Sequence, residues 1–247
     1  MNGESRMKGK TSLPSEEPAP PRRPAPVGAV KKPHPTTQER QALPPFIGLP
    51  LQALKPLSEP AELVAAIERM TAGGYVGFDT ESRPSFVAGQ STGGPHLIQL
   101  ALHDQVYLIP TRFSHLMGLV KQVLESTRIV KVGFGLASDR SPLQRNFDIA
   151  LDGYVDLAHP LRALGHKNEL GAQAAVAVVL KQNLRKSKRM TMSNWQKPKL
   201  EPAQLQYAAD DALAALRVYD AIGRPEPAPR EKKPRPRPTQ ETRGKDA

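Results

Sequence analysis

The sequence predicts an α/β fold: a mixed five-stranded sheet flanked by helices, in one domain between two basic, proline-rich tails that are expected to be disordered. Three observations carry this expectation. Apolar segments of strand and helix length fill residues 44–223 and thin out on either side. Three strand-like segments come first and helices then alternate with strands, the order of a mixed sheet with helical cover. The prolines are polarised: eight of the 26 lie in residues 1–43 and six in residues 224–247. Segments so poor in large apolar residues cannot offset their ordering entropy by burial. About 180 residues remain between them, a usual size for one core.

Taken in order, Ser58–Met70 reads as a helix, with Ser58 as cap, Pro60 early, and Leu63, Ala66, Ile67 and Met70 at helical spacing. Gly73-Gly74 ends it. Tyr75–Glu81 (YVGFDTE) reads as a strand, and His96–Leu102 and Gln105–Pro110 as two more joined by the short polar break at His103-Asp104. Ser114–Glu125 is an amphipathic helix with Leu116, Leu119, Val120, Val123 and Leu124 along one side. Arg128–Gly133 is the fourth strand, a helix covers roughly Ala137–Asn146, and Tyr154–Leu157 is a short fifth strand. Helices follow at Glu169–Leu180 and Pro202–Ile222. The loop Pro84–Pro95, rich in Gly and Ser, is expected to order on substrate.

Charge and composition narrow the function. Of the formal net charge of +11, each tail carries +4 and the core +3. Flexible basic tails suit loose attraction to polyanions, and equally serve solubility. With no cysteine, thiolate metal sites and disulfides are excluded, so a metal must use oxygen or histidine ligands. No apolar run approaches the roughly 20 residues that span a bilayer, and the N-terminus lacks an apolar leader. An intracellular, cytoplasmic location is expected, with no membrane partner. Polyproline runs such as Pro18–Pro26 and Pro234–Pro238 read as linkers or as ligands for protein partners.

The candidate chemistry is carboxylate chemistry. Asp79 and Glu81 stand two apart at a strand end, hence on one face, where both can reach one metal ion. Asp139 follows a strand and two glycines, Gly133 and Gly135, in the first turn of a helix, where a simple helix-terminal charge is the competing reading. Tyr207 and Asp211 stand at i and i+4 on the last helix and share a face, among the small residues Ala208, Ala209 and Ala212 that permit close packing on a sheet. Asp210 points about 100° away and is expected to be solvated. The run Arg185, Lys186, Lys188 and Arg189 reads as a phosphate-contacting loop or as a solvated one, and Trp195 as a buried anchor rather than a base-stacking platform.

The order Asp-x-Glu, Asp, Tyr-x-x-x-Asp resembles the tyrosine subclass of the DEDD exonuclease superfamily, and most of all the Werner syndrome type of exonuclease domain. The resemblance rests on GYVGFDTE (Gly74–Glu81), HLIQLAL, KVGFGLASD (Lys131–Asp139), SNWQ (Ser193–Gln196) and QYAADDALAALRVY (Gln206–Tyr219), and covers about Leu54 to Ile222. It implies a ribonuclease H-like fold and a 3′→5′ exonuclease holding two divalent ions, Mg²⁺ or Mn²⁺. Asp79, Glu81, Asp139 and Asp211 match the metal-binding acids, and Tyr207 the tyrosine that orients the hydrolytic water. Asp79 is expected to bridge both ions, with Glu81 and Asp211 on the nucleophile side and Asp139 on the other. Gln206 stands where the histidine subclass has its histidine. Departures are Asp210 beside the site and Glu201 where a capping Ser or Thr is usual. Ribonuclease D is resembled almost as well. The proline-rich segment after Ile222, where ribonuclease D has helical domains, favours the stand-alone Werner-like type, with DNA slightly preferred over RNA. A catalytically silent nucleic-acid-binding protein is the reading from another class.

Overall fold

The computed structural model describes residues 31–84, 93–166 and 168–227, all within one compact unit. Most of the Pro84–Pro95 loop, residues 1–30 and residues 228–247 lie outside the described residues, and so do the expectations that fall on them.

The sheet has six strands, not five. They are β1 (Leu54–Pro56), β2 (Tyr75–Glu81), β3 (Leu97–Ala101), β4 (Val106–Pro110), β5 (Val130–Gly133) and β6 (Tyr154–Asp156), in the spatial order β1-β4-β3-β2-β5-β6. The central pairs β2–β3 and β3–β4 are antiparallel, while β1–β4, β2–β5 and β5–β6 are parallel. The additional strand is β1, three residues long and closed by a proline. Such a segment has too few alternations to reveal itself; the free edge of β4 makes it a strand.

The eight α-helices among the described residues are α1 (Thr37–Gln41), α2 (Pro60–Gly73), α3 (Met117–Glu125), α4 (Ala137–Phe147), α5 (Ala158–Leu161), α6 (Ala172–Ala175), α7 (Lys188–Thr191) and α8 (Pro202–Ala221). A wider π-helical turn, Val176–Leu180, continues α6. The expected long helix from Glu169 thus starts at Ala172. α2 is capped by position rather than by Ser58: Glu59 is the boundary residue, and Pro60 opens the first turn.

Regular structure begins before residue 44. α1 lies inside the segment expected to be a tail, and its reason is local. Thr36 Oγ1 accepts from Glu39 N–H at 3.2 Å, and Glu39 Oε2 accepts from Thr36 N–H at 2.6 Å. This capping box needs no apolar burial. Backbone pairing then ties the segment down: Asn183 N–H donates to Pro44 O at 2.7 Å and Phe46 N–H to Asn183 O at 3.0 Å.

The two-residue period of the strands sends alternate side chains to opposite faces. Val76, Phe78, Ile98, Leu100 and Ile109 pack against Leu63 and Met70 of α2, Val120, Val123 and Leu124 of α3, and Leu143 of α4. Leu97, Ala101, Val106 and Leu108 pack on the other face against Ala208, Ala209, Ala212, Leu213 and Leu216 of α8, with Trp195. Each fully buried Leu, Ile, Val, Phe or Met contributes roughly 1.5–3 kcal/mol of transfer free energy. Trp195 is 1% exposed, the expected packing anchor. One lysine also belongs to the interior. Lys131 is 0% exposed on β5, and its ammonium donates to the carbonyls of Ser126 at 2.5 Å and Ile129 at 2.7 Å. No helix of the described residues is long and apolar enough to cross a membrane.

Candidate active site

β2 runs past the end of its parallel neighbour. Gly77 pairs with Val132 near the end of β5, and β2 continues to Glu81. Asp79 and Glu81 therefore project beyond β5 on the face covered by α8. Gly77 sets the depth of that cover. A Cβ built there would stand 2.0 Å from Ala212 O, so the absence of a side chain lets the backbones of strand and helix meet directly. Asp211 arrives beside the strand carboxylates in consequence. Ligand oxygens of Asp79, Glu81 and Asp211 all lie within 4.8 Å of one another.

Asp139 is placed differently. Its Oδ1 accepts from Thr80 Oγ1 at 2.5 Å. Thr80 lies between the two strand acids, so its side chain leaves β2 on the opposite face, toward α4. Asp139 is close enough for its charge to act on Asp79 and Glu81, yet it is not among the three acids that share one 4.8 Å cluster. The four acids expected to converge are thus three in mutual reach and a fourth alongside.

Crowding and burial perturb all of them. Burial, then the charge of Asp211, pushes Asp79 up to about 8, with Lys186 acting against the rise. Burial, then Asp79 and Asp211, pushes Glu81 up to about 9. Burial raises Asp139 to about 6 against the Thr80 hydrogen bond, and it raises Asp211 against the attraction of Lys186. Clustered acids in a low-dielectric notch resist ionising together.

Tyr207 lies one turn before Asp211 on α8. Its hydroxyl is 3.0 Å from Thr191 Oγ1 on α7. Burial raises the phenol, the charges of Asp211 and Glu81 add to this, and Thr191 and Lys186 oppose it. It remains a neutral hydrogen-bonding group at neutral pH.

The basic run divides in two. Arg185, Lys188 and Arg189 are exposed. Lys186 is exposed as a residue, its side chain at 34%, but its ammonium turns inward, 3.0 Å from Asp211 Oδ2 and 5.8 Å from the centroid of the Tyr207 ring. Burial pulls this lysine down, but the charges of Asp211 and Asp79, with Tyr207, hold it above its ordinary value. The sequence leaves Lys186 in a phosphate-contacting or solvated loop; its place against the carboxylates is one that no spacing could have announced. Sequence reading also missed Thr80, Thr191 and Gln99. Gln99 pairs with Asp79 across β2–β3, is 0% exposed, and has neither amide atom hydrogen-bonded to the described residues. A glutamine inside an otherwise apolar strand was the available signal.

Asp210 is not solvated as expected. It accepts from Gln206 Nε2 at 2.8 Å, burial raises it to about 6, and Gly48 lies over it: a Cβ on Gly48 would meet Asp210 Oδ1 at 2.2 Å. The start of α8 is held without Ser or Thr, because Gln204 Oε1 accepts from Glu201 N–H at 3.1 Å and Gln204 Nε2 donates to Ser193 Oγ at 2.9 Å.

A mixed sheet whose central strand and covering helix bring carboxylates together beside a phenol defines the ribonuclease H-like exonuclease class. Comparison with known proteins makes this specific: the family model described as 3'-5' exonuclease matches residues 54–225, and the chain belongs to that family. It is similar to the fruit-fly (Drosophila melanogaster) exonuclease 3'-5' domain-containing protein 2, 31% identical over 60% of this chain and 25% of that protein. It is similar to the mouse (Mus musculus) bifunctional 3'-5' exonuclease/ATP-dependent helicase WRN, 32% identical over 63% of this chain and 11% of that protein. The chain thus spans a quarter or less of the length of these two relatives. Among solved structures, the Trypanosoma brucei RNase D complex with RNA U12 shares the fold, with a TM-score of 0.61 and 16% identity over 75% of this chain and 64% of that one.

Proposed function

We propose that the protein removes nucleotides from the 3′ ends of nucleic acid by metal-dependent hydrolysis. The observation that carries this is the cluster of Asp79, Glu81 and Asp211 oxygens within 4.8 Å of one another, one helical turn from Tyr207. The site fits a divalent cation. Its donors are hard carboxylate oxygens, which suit Mg²⁺ or Mn²⁺. Burial first, and then mutual repulsion, holds Asp79 and Glu81 up, and the ammonium of Lys186 already lies beside Asp211 as a counter-charge. Asp79, Glu81 and Asp211 would hold the first ion; Asp139, alongside, makes four acids, a charge that two ions would balance. When bound, such ions supply a water nucleophile at neutral pH and stabilise charge on the leaving 3′-oxygen.

The chain's own groups do the rest. Tyr207, kept protonated, hydrogen-bonds the attacking water and aims it, steadied by Thr191. Arg185, Lys188 and Arg189 offer exposed positive charge to the phosphates of the entering strand. DNA and RNA are both substrates to be assayed. 5′-labelled DNA and RNA oligonucleotides, single- and double-stranded, are incubated with Mg²⁺, Mn²⁺ or EDTA. A ladder that shortens from the 3′ end, vanishes in EDTA and is lost in Asp79→Asn is the expected result. Binding without cleavage under every metal condition would replace this reading with that of a silent nucleic-acid-binding protein.

A further inference from the structure

A shallow cavity of about 240 Å³, largely open to solvent, is lined by Arg40, Gly171, Ala172, Gln173, Ala174 and Lys186, the last of which also reaches the carboxylates. Two of these six residues are cations and none is an acid. The cations come from segments nearly 150 residues apart in sequence. Lys186 belongs to the loop before α7, and Arg40 to α1, upstream of the segment that matches the exonuclease family. At about 30 Å³ per liquid water molecule, the volume admits a phosphodiester group with attendant waters.

The walls are built rather than incidental. Asn183, three residues before Lys186, exchanges two backbone hydrogen bonds with Pro44 and Phe46, at 2.7 and 3.0 Å. Gln173 Nε2 donates to Leu184 O at 3.0 Å, joining α6 to the same loop. Arg40 is held by Pro35 O at 2.6 Å and Thr37 Oγ1 at 3.2 Å, which occupy only part of its five-donor guanidinium. A preset guanidinium loses little freedom on binding and matches the geometry of phosphate oxygens. Lys186 faces both ways, lining the cavity while its ammonium contacts Asp211.

We propose that this cavity binds a backbone phosphate of the strand being degraded, next to the cleavage site, with Arg40 and Lys186 as its ligands. The inference rests on the exonuclease reading above and extends the working protein upstream of the family domain to α1. With a divalent ion held by the acids, the Lys186 ammonium would be released from Asp211 toward the phosphate, so metal and strand would assist each other's binding.

The test compares wild type, Arg40→Ala and Arg40→Lys. Binding of a 5′-fluorescein oligonucleotide is followed by anisotropy in EDTA across a salt series, and KM and kcat are measured with Mn²⁺. Arg40→Ala is expected to weaken binding about tenfold, lower the slope of log affinity against log salt by about one, and raise KM far more than it lowers kcat. Arg40→Lys should recover the salt slope and part of the affinity. A merely structural role for Arg40 would leave the salt slope unmoved, and that result, or unaltered KM in Arg40→Ala with an active wild type, overturns the site while leaving the nuclease reading intact. Nucleoside 5′-monophosphate serves as competitor. If Arg40→Ala relieves its inhibition but keeps wild-type oligonucleotide affinity, the cavity takes the released product, and the strand assignment is wrong. A wild type that neither binds nor cleaves any oligonucleotide overturns both readings together.

Discussion

The ammonium of Lys186 lies 3.0 Å from Asp211 Oδ2 and lends its charge to a group of acids that resist ionisation together. It acts as an internal cation in the place where divalent ions are proposed to bind. Replacing it by an isosteric apolar residue removes both the counter-charge and the competitor. Lys186→Met should therefore bind Mn²⁺ several-fold more tightly by calorimetry, and its melting temperature in EDTA at pH 8 should drop relative to wild type. Weaker Mn²⁺ binding in the variant would mean that Lys186 supports the ion rather than competing with it.

Neutralising one acid tests the crowding directly. Asp79→Asn and Asp211→Asn should each lose nuclease activity by at least three orders of magnitude. Both should nevertheless melt at or above the wild-type temperature in EDTA at pH 8, since a burdened carboxylate is replaced by a neutral amide. Activity retained in either variant would remove these residues from the site.

The pH dependence has a definite sign. Asp79 and Glu81 titrate in the folded protein at about 8 and about 9, above the 3.9 to 4.3 or so of free side chains. The folded state therefore binds more protons than the unfolded one between those limits, and stability falls as pH rises. The stability they contribute is complete near pH 4 and is lost as pH climbs through 8 to 9. Divalent ions must displace these protons. The rise in melting temperature produced by 5 mM or so Mn²⁺ should accordingly grow from pH 6 to pH 9, and calorimetry in buffers of different ionisation enthalpy should detect proton release near pH 7. A metal-induced shift independent of pH would show that the acids are already ionised.

Tyr207→Phe keeps the ring but removes the hydroxyl that meets Thr191. Turnover should fall by about 10²-fold, as for loss of a positioned proton-handling group, with Mn²⁺ affinity within twofold of wild type. Thr191→Val, which only releases the phenol, should cost less. A Tyr207→Phe enzyme turning over at the wild-type rate would leave the phenol without a part in the reaction.

Gly77 decides how closely α8 lies on the sheet. In Gly77→Val the new side chain meets Ala212 O, so helix and strand must separate. The substitution should destabilise the protein by about 2 kcal/mol or more, in the range of overpacked cores, and weaken Mn²⁺ binding by parting Asp211 from Asp79. Gly73→Ala, whose Cβ meets nothing within 4 Å, is the control and should melt like wild type.

The sequence by itself determined most of the large elements and which acidic side chains share a face. Strand alternation placed Asp79 and Glu81 on one face of β2, and helical spacing placed Tyr207 and Asp211 on one face of α8. Both are local geometric consequences of the backbone, so the residues carry the information themselves. The large helices α2, α3, α4 and α8 were legible for the same reason. What depends on contacts between distant segments was not. β1 is a strand because β4 has an edge to offer, α1 belongs to the described body because Asn183 meets Pro44 and Phe46, and Asp210 is covered because Gly48 lies above it. Only the tertiary structure turned Lys186 inward to Asp211, gave Asp139 to Thr80, and brought Arg40 to the same cavity as Lys186. Periodicity records which way a side chain leaves its own element; the partner it meets there is fixed by packing, where burial and charge from far along the chain settle the balance.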